Sequence, residues 1–349
     1  MRLNLLGYAW RTYDGYGRYA AHIMRALQRA GVEVSPLLVG HTEMPGWMQQ
    51  QLGIDWSRLT IACLPALYLP GIPGRHWLLT MTEGSEMPDG WVDIINRRNP
   101  ERVIVPCEAN AETFRKGGVK APIHVIHGGT DPDEFPVIAK SILDTHYPPR
   151  PYAFLALADR GARKGWAEVW QAFYQAFGRP QDTPDVRLLI KVRPNSNDVT
   201  DLIARAENPD PRVRIWTEDV ATMREVYAAC DCFCFPSRFE GWGMPPREAA
   251  MMGLPVIVQQ WSGMDDGHTT EWAQVLPLGT LERIPTIFEN IKGDWMKADV
   301  GALAKTMRWC YENPAEAREY GANAAAWLRA WQTWDHAAGR LLNLIKECG

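Results

Sequence analysis

The sequence predicts an α/β protein of two domains, each built on a parallel sheet. Three observations lead there. Short apolar runs of strand length alternate with stretches of helical period along the chain. Glycine-containing turns follow several of these runs and open the next helix, as parallel strands joined by helical crossovers require. The chain has 349 residues, enough for two domains of ordinary size with a core in each, and shows no internal repeat or low-complexity tract.

The elements follow in order. Leu3 to Leu6 reads as a strand, and Asp14-Gly15-Tyr16-Gly17-Arg18-Tyr19 as the turn into a helix with apolar positions at Ala20, Ile23, Met24 and Leu27. Leu78-Leu79-Thr80-Met81-Thr82-Glu83 and the stretch from Val103 to Phe135 belong to the first domain. The Pro-rich stretch from Thr145 to Tyr152 marks the boundary, giving domains 1–148 and 149–332. Tyr152 to Leu157 opens the second domain as an apolar strand, followed by the basic loop Ala158 to Gly165 and a helix through Phe177. Val213 to Trp216 is a strand leading to Glu218 and Asp219, and Cys230 to Phe235 is another, with its three cysteines expected on one face. Helices over 314–329 and 333–347 flank a break at Trp331 to Trp334.

The most informative stretch is Phe235 to Val258. It sets two carboxylates, Glu240 and Glu248, around a glycine turn at the head of a helix expected over Arg247 to Met252, with Pro245 and Pro246 in its first turn. Gly253 and Pro255 stop the helix, and Val256 to Val258 is the next buried strand. A helix N-terminus offers free N–H groups and a partial positive charge. The amides of Trp242, Gly243, Met244 and Arg247 therefore suit phosphate oxygens, while the two carboxylates suit hydroxyl groups. Read without the rest of the string, each glutamate is also an ordinary charge at the start of a helix.

The string resembles the E-x7-E signature of the retaining glycosyltransferases of family 4. The resemblance implies the GT-B fold, two facing Rossmann-like domains with a final helix that crosses back to the first. It implies transfer of a hexose from a nucleoside-diphosphate sugar, UDP-, GDP- or ADP-linked, to a hydroxyl of a glycan, a lipid-linked sugar or a small molecule. On the donor side it places Glu248 on the ribose, Lys164 and Arg160 on the diphosphate, Gly241, Trp242, Gly243 and Met244 around phosphate and hexose, Glu240 beside the transferred sugar, and the backbone near Glu218 at the nucleobase. Gly15, Tyr16 and Gly17 match the family's phosphate loop in the first domain. The basic loop departs from the family pattern, since Ala158 and Asp159 stand where glycine and arginine are usual; Arg160 is preferred to Arg163 as the second cation. Relatives carry an acceptor-side histidine where this chain has Glu83, so Glu83 is either the group that receives the acceptor's proton or a charge at a strand end. Two other readings are a nucleotide-sugar-binding protein without turnover and a nucleotide-sugar epimerase of the same fold.

Composition sets further bounds. Formal net charge is −4 and the first 150 residues are balanced, which argues against a general nucleic-acid surface. No apolar run approaches a membrane span and the N-terminus does not read as a signal peptide, so a cytoplasmic protein is expected, with peripheral membrane contact open. Seven cysteines without C-x-x-C spacing fit buried thiols in a reducing compartment. Asp131-Pro132-Asp133 reads as a turn, and neither a metal nor a cofactor is expected. Histidines 22 and 127 read as packing or capping residues. Among 16 tryptophans, Trp10, Trp47, Trp77, Trp91 and Trp242 are placed in loops or element ends, where their rings could stack on sugars.

Overall fold

In the computed structural model, which describes residues 1–7, 15–38, 55–138, 150–158, 161–193, 210–285 and 291–348, the alternation of apolar runs and helices becomes two parallel sheets. The first contains β1 (Arg2–Gly7), β2 (Glu33–Leu38), β3 (Thr60–Cys63), β4 (His76–Leu79), β5 (Arg102–Val105) and β6 (Ile123–Val125), in the order β2-β1-β3-β4-β5-β6. Its helices are α1 (Gly15–Arg29), α2 (Trp91–Arg98) and α3 (Glu108–Lys116). The second contains β7 (Tyr152–Leu157), β8 (Val186–Lys191), β9 (Val213–Trp216), β10 (Cys232–Phe235), β11 (Val256–Gln259) and β12 (Gln274–Leu276), in the order β12-β11-β10-β7-β8-β9. Its helices are α4 (Trp166–Phe177), α5 (Met223–Ala228), α6 (Met244–Met251), α7 (Thr269–Trp272), α8 (Val300–Glu312) and α9 (Pro314–Trp331). A hairpin of β13 (Thr280–Arg283) and β14 (Asp294–Lys297) pairs antiparallel beside this sheet.

Both faces of each sheet are covered, which is why the strands read as nearly continuous apolar runs. Along β1, Leu3 and Leu5 join the core under α1, whereas Leu6 joins the core under α2 and α3. Along β10, Cys232 and Cys234 face one cluster, and Phe233 and Phe235 the other. Cys230 lies before the strand begins and packs with the phenylalanine side, so the three cysteines do not share a face. None of the seven cysteines, all among the described residues, forms a disulfide, and six are buried.

Strand order reverses between β1 and β3 in the first sheet and between β7 and β10 in the second. In open α/β sheets the crevice beyond the carboxyl ends of strands at such a reversal is where ligands bind. The loop into α1 follows β1, the basic loop follows β7, and the glycine turn of Glu240 follows β10. Topology therefore brings the sequence's candidate segments to the switch points.

The last helix, α10 (Trp334–Cys348), crosses to the first domain and packs along α1, where Trp334, Ala337, Ala338 and Leu341 share a core with Tyr19, Ile23 and Leu27. The crossing is tied by Thr130, whose N–H donates to the Gln332 carbonyl at 3.0 Å. The tryptophans differ from expectation. Trp77 lies in the middle of β4, fully buried with its Nε1 donating to Glu101, and Trp91 and Trp242 are also buried, so none of the three offers a face to a ligand. Trp10 and Trp47 lie outside the described residues. Among the described residues no helix is long and apolar enough to cross a membrane.

Candidate functional site

The site is built around Glu240. Ser237, Arg238 and Phe239 carry the chain out of β10, and Glu240 is buried with Oε1 accepting from Arg163 Nη1 at 2.7 Å, Lys164 Nζ at 2.7 Å and Ser237 Oγ at 2.6 Å. Its backbone N–H donates to Ser262 Oγ at 2.9 Å, which fixes where the side chain starts. Both cations come from one 3₁₀ turn, Gly161–Lys164, after β7. Gly165 ends that turn with φ 71°, and a Cβ there would lie 2.3 Å from the Pro236 carbonyl oxygen, so only glycine lets the basic turn lie against the turn of Glu240. Burial works against ionisation of Glu240, but Arg163 and Lys164 outweigh it and hold the carboxyl below its ordinary range. Burial, and then Arg163, push Lys164 below the usual lysine value, with Glu240 opposing them. The result is two cations aimed at one buried carboxylate, where an incoming anion would meet both.

The glycine turn itself is shaped by Arg247. This arginine is fully buried on α6, donates to the carbonyls of Trp242, Gly243 and Gly263 and from its Nε to Gln332 Oε1, and pairs with Asp266 at 2.7 Å. Its guanidinium carbon lies 3.7 Å from the Trp242 ring centroid. With the carbonyls of the turn held inward, the N–H groups are left for whatever lies in front of the helix. Gly243 has φ 74°, and a Cβ there would lie 1.9 Å from the Met264 methyl. The helix begins at Met244, earlier than the Arg247 expected, with the prolines in its first turn.

The first domain supplies the opposite wall. Tyr16, at the start of α1, donates from its hydroxyl to the Met81 carbonyl at 2.7 Å and accepts from the Met81 N–H at 2.9 Å, joining the glycine loop to the segment beyond β4. Gly15 and Gly17 belong to the first turn of α1, at the carboxyl end of β1. Glu83 lies on that same segment and reaches across the crevice to Arg163 at 2.9 Å, while its carbonyl accepts from Trp295 Nε1 at 3.0 Å. Glu248 is bonded across the domains as well. Arg18 Nη2 is 2.9 Å from Glu248 Oε1, and Tyr227 donates to Oε2 at 2.8 Å.

The structure thus brings Glu83, Lys164, Glu240 and Gly241 to Met244 together, with Glu248 and the start of α1 beside them. Glu218 stands apart on the surface, paired with Arg214 at 3.0 Å, although its carbonyl accepts from the buried Lys191. Arg160 lies outside the described residues, and Arg163, passed over in its favour, occupies the centre of the group. Sequence reasoning missed Arg18 and, having named only the amide of Arg247, missed its guanidinium as well. Arg247 carried a signal, because a positive charge in the first turn of a helix opposes the dipole and implies a buried partner.

His22, Asp131 and Glu134 place one ligand atom each within 4.8 Å of one another. Asp131 Oδ1 accepts from the N–H groups of Asp133 and Glu134, the turn expected there, and Glu134 accepts from Arg18 at 3.1 Å. Burial and then Arg18 depress His22 to about 3, so it is neutral, stacked on Trp334 with rings 5.2 Å apart. Arg18 thus sets a positive charge against Glu134, one of the two carboxylates of this group.

Facing parallel-sheet domains, a crossing last helix and a carboxylate held by two cations in the crevice are the attributes of a GT-B glycosyltransferase. The chain belongs to glycosyltransferase family 4: residues 112–341 match the family described as "Family 4 Glycosyltransferase in conflict systems". No curated protein matches it in sequence. Among solved structures it is similar to sucrose-phosphate synthase from Thermosynechococcus elongatus, with 17% identity, a TM-score of 0.71 and coverage of 100% of this chain and 99% of that one. It is also similar to HepE of Anabaena in complex with UDP-glucose, at 14% identity and TM-score 0.70, covering 99% of this chain and 100% of that one. A third is α,α-trehalose-6-phosphate synthase from Burkholderia multivorans, at 11% identity and TM-score 0.67, covering 99% and 98%.

Proposed function

We propose that this glycosyltransferase moves a hexose from a nucleoside-diphosphate sugar to a hydroxyl acceptor with retention of anomeric configuration. The observation that carries the reading is the convergence of Arg163 and Lys164 on Glu240 at the switch point of the second sheet. A diphosphate entering the crevice takes over the two cations, which then stabilise the charge that develops as the nucleotide departs. Release of the cations frees Glu240 to accept from hydroxyls of the transferred sugar. The N–H groups of Gly241 to Met244, whose carbonyls Arg247 holds away, and the first turn of α1 complete the phosphate cradle. Glu248 takes the ribose and shares Arg18 with it, and the backbone near Glu218 takes the base. Arg163 replaces Arg160 in this account, because among the described residues it is the arginine that touches the carboxylate.

On the acceptor side, Glu83 is within reach of the same cations and is assigned to orient the attacking hydroxyl or receive its proton. The domain assignment that goes with this is an acceptor domain of residues 1–148 with 333–349 and a donor domain of 149–332. The reaction draws on no metal, since Arg163 and Lys164 supply the positive charge at the diphosphate.

A thermal-shift series with UDP, GDP, ADP and CDP and their sugar conjugates, with and without magnesium, tests the donor. UDP is the first to offer, because HepE was solved with UDP and with UDP-glucose. A nucleotide at 100 times its Kd adds roughly 2.7 kcal/mol, and the shift should appear without metal. Transfer from the matching sugar to an acceptor panel then completes the case. Binding without turnover would instead favour a nucleotide-sugar-binding protein, and conversion of the sugar on its own nucleotide an epimerase.

A further inference from the structure

A cavity of about 480 Å³ opens where the two domains and α10 meet, and none of its lining residues belongs to the Glu240 group. Its walls come from four parts of the fold: His127 after β6, His268 and Glu271 at α7, Trp327 and Trp331 at the end of α9, and Arg340 on α10. Trp242 stands between the two sites, its backbone in the turn of Glu240 and its ring stacked on His127 with centroids 5.3 Å apart.

The chemistry of the walls is mixed in a particular way. Trp331 is 61% exposed at the rim, and Trp327 is half-buried, its ring 5.5 Å from that of His268. Arg340 and Glu271 are exposed, and among the described residues neither side chain has a hydrogen bond or ion pair. The floor, by contrast, is fully engaged, since Gln332 accepts from Arg247 and donates to Asp266. Burial foremost, and then the neighbouring Arg247, Arg340 and His268, depress His127 to about 4, leaving a neutral imidazole with one donor and one acceptor.

We propose that this cavity is a saccharide-binding site, separate from the donor crevice. A pyranose has an apolar C–H face for an indole ring and a rim of hydroxyls that both donate and accept. Trp327 and Trp331 supply the faces, Glu271 accepts and Arg340 donates. A phosphate group is disfavoured by the Glu271 carboxylate, and a purely apolar ligand would leave the charged walls without partners. The volume falls in the range of small-molecule pockets with a few convergent polar groups. Because the walls come from both domains and from α10, a bound sugar joins all three.

Saturation-transfer NMR tests this with glucose, galactose, mannose, N-acetylglucosamine and their common disaccharides as probes. The expected result is a signal from at least one sugar that falls by about fivefold or more in both Trp331→Ala and Arg340→Gln. Both substitutions are at exposed positions, so the thermal unfolding and the nucleotide-induced shift should match the unsubstituted protein. No signal from any sugar overturns the proposal. So does a signal that survives either substitution, because the sugar would then be bound elsewhere, such as the crevice of Glu240. The nucleotide shift is read in the same proteins, so failure of the donor reading is seen separately.

Discussion

Oε1 of Glu240 receives a lysine, an arginine and a serine hydroxyl, and removing its charge has two separable consequences. Glu240→Gln keeps the shape but leaves Arg163 and Lys164 under-compensated in a buried setting, which should cost up to about 3–5 kcal/mol of stability. Transfer should fall by about 10²-fold or more in protein that circular dichroism shows to be folded; a rate within twofold of the original would remove Glu240 from the mechanism. Lys164 also loses a counter-charge, so donor affinity in this variant should begin to decline at a lower pH than in the original. Asp266 gives a pH prediction for the fold. Burial opposes its ionisation, but Arg247 and Gln332 hold it at about 2, against an ordinary 3.8. A depressed carboxyl stabilises the fold above its unfolded pKa, so this contribution, on the order of 2 kcal/mol, is complete above about pH 4 and lost as pH falls through about 2. Urea unfolding at pH 5 and pH 2.5 should show that loss, and Asp266→Asn should remove it. Glu240 and Glu248 were legible because their spacing surrounds a glycine turn. Arg163 was not, because it stands out only once Gly161–Lys164 winds into a 3₁₀ turn that aims two adjacent cations the same way.

At the scale of the element, the glycine turn and the β13–β14 hairpin matter most. Gly243→Ala forces a side chain into a left-handed residue and against Met264, a strain of about 1–3 kcal/mol. Melting should detect it, and donor affinity should fall because the amides of the turn move. The hairpin meets the first domain through Trp295, which packs with Phe239, next to Glu240, and donates to the Glu83 carbonyl. Trp295→Phe keeps the packing and removes the donor. About 1 kcal/mol of stability should be lost, and kcat should drop with donor KM unchanged if Trp295 positions Glu83. Strands β1, β7, β9, β10 and β11 were legible from their apolar runs. The hairpin was not, because Thr280, Leu281 and Arg283 are exposed and give no alternation; its order comes from contacts with a distant segment.

At the scale of the whole molecule, α10 makes the two domains one object. Truncation after Gln332 removes Trp334, Ala337, Ala338 and Leu341 from the core under α1 and uncovers Tyr19, Ile23 and Leu27. Differential scanning calorimetry should show a lower melting temperature and an early transition for the first domain; an unchanged profile would mean the crossing helix contributes little. That a last helix returns was legible only through the family resemblance, since nothing in its own amphipathic pattern says which domain it covers. The break before it, at 332, was visible as the Trp331 to Trp334 interruption.

The crossing of α10 also fixes an order of events at the ribosome. Domains generally fold as units as they emerge, the N-terminal one first. Here α1 emerges early with an apolar stripe whose cover, Trp334 to Leu341, is translated some three hundred residues later. The domain that is made first is therefore completed last, and during the interval the apolar stripe of α1 lacks its native cover.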